Sequence, residues 1–89
     1  MYRLELTSQA QRQLDKLSVA ELEPIAAAIQ ELRDNPRASG VKKLRGPIYR
    51  IRVGDWRIVY AVFEKDNLIV VGKIARRSKN TYKRIKNLF

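Results

Sequence analysis

Three consecutive stretches between residues 48 and 75 have the side-chain pattern of β-strands, with short turn segments between them. Residues 48–53 alternate apolar and basic side chains from Tyr49 onward, and residues 56–63 and 68–75 are rich in β-branched and aromatic residues. Gly54-Asp55 fits a two-residue hairpin turn of type II′, which places glycine first. Asp66-Asn67 fits a second tight turn. The rest of the chain must therefore fold against an antiparallel meander.

The N-terminal residues predict one further strand and a first helix. Residues 2–7 alternate apolar and polar side chains, which is typical of a short strand. Ser8 and Gln11 have the spacing of a capping box, and residues 8–17 predict a helix behind it. Its apolar face consists of Ala10, Leu14 and Leu17.

A second capping box, formed by Ser18 and Glu21, precedes an apolar pattern with helical spacing. This pattern predicts a second helix that ends near Asn35-Pro36. Pro24 conflicts with an uninterrupted helix, because proline fits the first turn but clashes deeper in. We therefore expect the second helix either to begin near Glu23 or to be kinked.

The remaining segments complete an α+β fold. Residues 36–47 contain two prolines and two glycines and predict a loop, while residues 79–88 predict a short basic C-terminal helix. The expected order is β-α-α-β-β-β-α in a single domain over residues 1–89. We expect an antiparallel sheet with the two N-terminal helices packed on one face.

Positive charge is concentrated in the second half of the chain. The net charge is +10, yet residues 42–89 hold fourteen basic and three acidic side chains, whereas residues 1–41 are close to neutral. Such an excess on one part of a small domain favours a polyanionic partner, first of all nucleic acid.

The chain contains no cysteine and no histidine. Disulfides, thiolate metal sites and thiol nucleophiles are therefore excluded, as are hydrolases and nucleases that depend on histidine. We expect no cofactor and no metal. The N-terminus lacks the apolar core of a secretory signal, and no segment has the length of a membrane span, so we expect a cytoplasmic protein with no membrane role.

Strand geometry predicts a cluster of arginines on one sheet face. A two-residue turn at Gly54-Asp55 places Arg52 opposite Arg57, and Arg50 shares their face. The second turn is expected to place Arg76 opposite Arg57, which would complete a four-arginine phosphate site. Lys73 does not fit this register, since it falls among apolar core positions. Either it extends to solvent at a sheet edge or the register is wrong there.

The stretches KKLRGPIYRIRVGDWRIVY (42–60) and KIARRSKNTY (73–82) together resemble the RelE-type toxins of bacterial toxin–antitoxin systems. The resemblance covers nearly the whole chain, including the order of elements. It implies a ribosome-dependent endoribonuclease that cuts mRNA codons in the ribosomal A site and so inhibits translation. In that chemistry the ribose 2′-OH attacks its own phosphate, without a metal. It also implies a cognate RelB-like antitoxin, and a toxin–antitoxin complex that binds operator DNA.

The resemblance further implies residue roles. Arg57 matches the arginine that clamps the scissile phosphate, Arg76 the one proposed to assist the leaving group, and Tyr82 the tyrosine proposed as base or as a stacking residue. Arg50 and Arg52 occupy positions that are lysines in the best-known members. Basic residues expected to contact RNA or the ribosome are Arg45, Lys42, Lys43, Arg77, Lys79 and Lys83.

The exchange of lysine for arginine bears on the mechanism, because arginine stays protonated and cannot accept a proton. Proton transfer then depends on Tyr82, or catalysis depends on electrostatic stabilisation of the phosphorane. Two other functions remain open. The related ParE branch inhibits DNA gyrase, and a basic module of this size could bind RNA or the ribosome without cleaving it.

Overall fold

The computed structural model describes residues 1–38 and 40–76, which form one sheet and two helices. The elements in chain order are β1 (Arg3–Leu6), α1 (Ser8–Asp15), α2 (Val19–Asp34), β2 (Lys42–Arg45), β3 (Ile48–Val53), β4 (Trp56–Phe63), a 3-10 turn (Glu64–Asp66) and β5 (Leu68–Arg76). The α+β class is confirmed. The helix predicted over 79–88 lies outside the described residues.

The sheet contains five strands in the order β1-β5-β4-β3-β2. Strands β3 to β5 form the expected antiparallel meander, and β2 extends it at one edge. The sheet is not wholly antiparallel as predicted, because β1 pairs with β5 in parallel, with Arg3 opposite Leu68. Strand β2 corrects the prediction of a loop over 36–47. The glycine and proline residues of that segment lie around a four-residue strand, and Gly46, with a φ of 52°, makes the tight turn that returns the chain into β3.

Both helices begin at side-chain caps. Thr7, rather than Ser8, caps α1, because its hydroxyl accepts the Ala10 N–H at 3.2 Å. The capping box of α2 is confirmed: Ser18 Oγ accepts the Glu21 N–H, and Glu21 Oε1 accepts the Ser18 N–H. The helix therefore begins at Val19 and not near Glu23, and Pro24 lies within it.

The helices pack on one face of the sheet, as predicted. From α2, Ile25, Ile29 and Leu32 are buried against the strands. The sheet side of this core consists of Ile58, Tyr60, Val62, Ile69, Val71 and Ile74. Tyr60 is fully buried and its hydroxyl donates a hydrogen bond to the Pro36 carbonyl. Across residues 1–38 and 40–76, neither helix combines the length and the apolar composition that a bilayer span requires.

A β-bulge interrupts the pairing of β4 with β5. Tyr60 lies opposite Val71, but the next pair is Val59 with Lys73, so that Gly72 is an extra residue in β5. Two side chains form hydrogen bonds with the backbone around the bulge. One belongs to the residue that caps α1, and the other to a residue within α1. Thr7 Oγ1 donates to the Gly72 carbonyl at 3.2 Å, and Gln13 Oε1 accepts the Ile74 N–H at 2.7 Å.

A polar cluster at the far end of the sheet holds the connection between α2 and β2. Tyr2 donates its hydroxyl proton to Glu64 Oε2 at 2.7 Å, and Arg37 forms an ion pair with the same carboxylate. Arg37 also donates to the Tyr49 hydroxyl at 3.1 Å. Hydrogen bonds from Tyr2 and then Arg37 lower the pKa of Glu64.

Candidate anion-binding face

The turn at Gly54-Asp55 brings three arginines together on the sheet face that points away from the helices. Gly54 has a φ of 59°, which the first central position of a II′ turn requires. Arg52 lies directly opposite Arg57, as predicted, and Arg50 lies two residues before Arg52 in β3. Opposite side chains on neighbouring strands are separated by only about 5 Å at Cβ, so these three cations share one small area.

Two of these arginines are buried. Arg57 is 4% exposed and Arg50 is 9% exposed. Among residues 1–38 and 40–76, the Nε of Arg50 has no hydrogen-bond partner. Within the same residues, Arg57 donates only to the neighbouring Trp56 carbonyl, at 3.2 Å. Within residues 1–38 and 40–76, neither forms an ion pair. A buried guanidinium without an anion destabilises a fold, so this arrangement favours the binding of an external anion.

Arg76 lies on the opposite face, which corrects the prediction of four arginines in register. The extra residue at Gly72 shifts the pairing by one, so Arg76 lies opposite Trp56 and Ala75 lies opposite Arg57. A shift of one residue moves a side chain to the other face of a sheet. The Arg76 guanidinium is 4.7 Å from the Trp56 ring centroid, and its Nη2 is 2.6 Å from Glu21 Oε2.

The same shift moves Lys73 onto the face of the arginines. It lies opposite Val59, which in turn lies opposite Arg50. We call Arg50, Arg52, Arg57 and Lys73 the cationic face. Lys73 was not among the predicted site residues. Its charge within an apolar strand, directly after a glycine, was the signal that could have identified both the bulge and the site residue.

Strand β2 adds exposed cations beside this face. Lys42 lies opposite Arg50 and so shares its side of the sheet, whereas Lys43 lies opposite Tyr49 on the helix side. Arg45 lies opposite Ile48, beyond an irregularity in β2, and is exposed. The other predicted RNA-contacting residues, Arg77, Lys79 and Lys83, lie outside the described residues, as does Tyr82.

The cationic face continues into a cluster of buried apolar side chains on the same side of the sheet. Ile48, Val59 and Ala61 are buried there, with Leu44 and Phe63 packed against them. Low-polarity neighbours strengthen the attraction between an arginine and a bound anion, since fewer water molecules screen the charges.

Glu21 and Arg76 form a separate charged pair on the helix side. Hydrogen bonds from Ser18, followed by the charge of Arg76, lower the pKa of Glu21. The carboxylate is therefore ionised at neutral pH and holds Arg76 near Trp56. A cavity of about 300 Å³ lies between α2 and the β3–β4 turn. It is lined by Glu21, Trp56 and Arg76, together with Pro24, Val53 and Asp55.

The chemistry available on the cationic face is anion binding. Arginine forks bind two phosphate oxygens at once and remain protonated at neutral pH. The described part of the chain contains no group of three or more acidic, histidine or cysteine side chains placed to hold a metal ion. The face can thus hold a phosphodiester and stabilise charge that develops on it, while proton transfer needs another group.

Comparisons with known proteins agree on one family. Residues 4–81 match the sequence model of the ParE toxin of type II toxin–antitoxin systems. The chain is 30% identical over 81 residues to a protein of Methanocaldococcus jannaschii named toxin RelE1, covering 85% of this chain and 90% of that protein.

Solved structures agree with this assignment. The archaeal RelE–RelB complex from Pyrococcus horikoshii contains a chain that matches with a TM-score of 0.79 and 29% identity, covering 88% of this chain and 97% of that one. The isolated E. coli RelE toxin matches over 100% of both chains with a TM-score of 0.76, and at 24% identity this likeness concerns the fold. The chain belongs to the RelE/ParE superfamily of type II toxin–antitoxin toxins.

Proposed function

We propose that this protein is a ribosome-dependent endoribonuclease that cuts mRNA in the ribosomal A site and so halts translation in the cytoplasm. The observation that supports it most is the pair of buried arginines, Arg50 and Arg57, which have no anionic partner among the described residues. A fold that keeps two such charges gains when a phosphodiester binds beside them.

The proposed reaction is an internal transfer at one phosphate. The ribose 2′-oxygen forms a bond to phosphorus, the bond from phosphorus to the 5′-oxygen breaks, and the products end in a 2′,3′-cyclic phosphate and a 5′-OH. The 2′-OH proton passes to a base and the leaving oxygen receives a proton. Arg57, Arg52 and Arg50 would hold the phosphate and stabilise the additional negative charge of the phosphorane.

The remaining roles stay predictions. Tyr82 is the proposed base or stacking residue, because arginine cannot accept the proton. The leaving-group role of Arg76 requires its guanidinium to move away from Glu21 and Trp56. The docking residues proposed for RNA and the ribosome are Arg45, Lys42, Lys43, Arg77, Lys79 and Lys83.

A cognate antitoxin is the second proposed partner. The Pyrococcus horikoshii relative was solved as a RelE–RelB complex. We propose that this chain likewise binds a RelB-like antitoxin and that the complex binds operator DNA. Binding of a basic toxin by a partly disordered acidic chain would combine charge neutralisation with folding on contact.

Mapping of mRNA 5′ ends after cell-free translation tests the enzymatic proposal. We expect the wild-type protein to produce new ends only when ribosomes are present, and Arg57→Gln to slow their appearance by about a hundredfold or more, as loss of one oxyanion donor does. Arg12→Gln, which removes an exposed arginine from α1, is the matched control and should cut like the wild type. Full cutting by Arg57→Gln would overturn the site, and wild-type protein without new ends would overturn the activity.

Gyrase inhibition is the second candidate, since the matching family model is that of ParE. A DNA supercoiling assay separates the two. Inhibition of supercoiling without new mRNA ends would assign the chain to the ParE branch. Salt-dependent ribosome binding without new mRNA ends and without inhibition of supercoiling would identify a non-enzymatic binding module.

A further inference from the structure

We propose that Lys73 is a fourth phosphate-binding residue of the cationic face, placed there by the bulge at Gly72. This inference rests on the proposed function, because the phosphate is that of the bound RNA. It assigns to a lysine of β5 the role on this face that alternation along the strand would give to Arg76, although Lys73 lies opposite Val59 and not opposite Arg57.

The register supports the assignment. Lys73, Val59 and Arg50 form one row across three strands, and Ala75, Arg57 and Arg52 form the next row toward the β3–β4 turn. Diagonal neighbours on adjacent strands lie about 7–8 Å apart, which long side chains can span, so Lys73 and Arg57 are within reach of one phosphate group. Val59 between Lys73 and Arg50 is fully buried and adds no competing polar group.

Two hydrogen bonds from the α1 region hold the bulge in place. Both hydrogen bonds reach backbone groups of β5 that lie beyond Val71, the last residue paired with β1. Thr7 Oγ1 donates to the Gly72 carbonyl at 3.2 Å, and Gln13 Oε1 accepts from the Ile74 N–H at 2.7 Å. The orientation of Lys73 is thus fixed by a helix on the other face of the sheet.

Lysine adds a chemical property that the three arginines lack. Its ammonium is a compact point charge on a flexible stem and does not require the planar geometry of a guanidinium. It can follow a phosphate oxygen whose position changes as the phosphorane forms, while the arginine forks fix the rest of the group.

The test compares Lys73→Gln with Lys65→Gln, which removes the same charge from the exposed 3-10 turn outside the cationic face. The first readout is the salt dependence of binding to a short single-stranded RNA whose 2′-hydroxyl groups are methylated, so that it cannot be cleaved. We expect the slope of log affinity against log salt to fall by about 0.7 for Lys73→Gln, the value for one phosphate contact to a single strand. Lys65→Gln should keep the wild-type slope, and Lys73→Arg should restore it.

The second readout is the rate at which mRNA ends appear on ribosomes. We expect Lys73→Gln to slow it by about tenfold to a hundredfold, with Lys65→Gln unchanged and all variants unfolding at the wild-type temperature. An unchanged slope and rate in Lys73→Gln, or an equal loss of slope in Lys65→Gln, would overturn the proposal. The slope does not depend on cleavage, so it tests Lys73 even if the wild-type protein cuts no RNA.

Discussion

At the scale of single residues, Arg50 is a charged side chain in a buried position. Its side chain is nine-tenths buried, and its Nε has no hydrogen-bond partner among the described residues. Arg57 adds a second buried charge on the adjacent strand. Charges in such surroundings repel each other and lose hydration. The free energy of unfolding should therefore be lower than an apolar side chain at position 50 would allow.

Replacement of Arg50 by methionine should stabilise the protein and weaken RNA binding. The methionine keeps much of the packing volume and removes the desolvated charge, so we expect the free energy of unfolding to rise by about 1 kcal/mol or more. Urea denaturation measures this change, with Arg12→Met as a control on the exposed surface of α1. A lower denaturation midpoint for Arg50→Met at an unchanged slope would show that the guanidinium contacts stabilise the fold.

At the scale of elements, the bulge in β5 depends on α1. Gln13 reaches the Ile74 N–H, and Thr7 both caps α1 and donates to the Gly72 carbonyl. The helix thereby supplies hydrogen bonds that a regular neighbouring strand would supply. Since β1 ends at Leu6, opposite Val71, these two side chains continue the pairing beyond the end of that strand.

Gln13→Met should destabilise the protein by about 1–3 kcal/mol, because it keeps the side-chain length but leaves the Ile74 N–H without an acceptor. Gln11→Met is the matched control. Gln11 donates to Asp15 on the exposed side of α1, and we expect a change within about 0.5 kcal/mol. Denaturation and hydrogen exchange at Ile74 measure the effect. Equal stability of the two variants would contradict a role for Gln13 in holding the bulge.

The bulge separates the part of the site that can be predicted from the sequence from the part that cannot. The II′ turn at Gly54-Asp55 allows one register, so the convergence of Arg50, Arg52 and Arg57 could be predicted from alternation alone. An inserted residue at Gly72 changes the parity of everything after it, and regular alternation along β5 does not account for such an insertion. Arg76 was therefore predicted on the wrong face.

Other differences have local causes. The short strand β2 was not predicted, because glycine and proline residues lie on either side of it. Such a composition indicates turns but does not give their exact limits. Burial of Arg50 could not be predicted either, since charged side chains are normally exposed and only the assembled sheet shows which of them is enclosed.

At the scale of the whole molecule, two ion pairs at opposite ends of the sheet join segments that are distant along the chain. Glu64 with Arg37 fixes the connection after α2, and Glu21 with Arg76 fixes the end of β5 against the start of α2. Both carboxylates have a pKa below the ordinary value of 4.5. In a chain of net charge +10, they are two of only nine acidic side chains.

Acid should destabilise the protein through these carboxylates. A glutamate whose pKa is lower in the folded state stabilises the fold above its unfolded-state pKa, and this contribution is lost as the pH falls through the folded-state pKa. We expect the thermal midpoint to fall as the pH drops below about 4.5, the ordinary glutamate value. Glu64→Gln should show a flatter decline in this range. A decline as steep as that of the wild type would show that other groups control the acid transition.

Because β1 pairs in parallel with β5, the sheet can be completed only after β5 has been synthesised. A chain is synthesised from its N-terminus, so Arg3–Leu6 emerges first and waits until Leu68–Val71 has followed before it can pair. Contacts between such distant segments form late, because a long loop must close first. Products of interrupted synthesis that end before β5 leave β1 unpaired, and they lack Lys73 as well as the strand that borders Arg57. Only chains that extend through β5 therefore assemble the cationic face, and products that end earlier are left with an open sheet edge for proteases to attack.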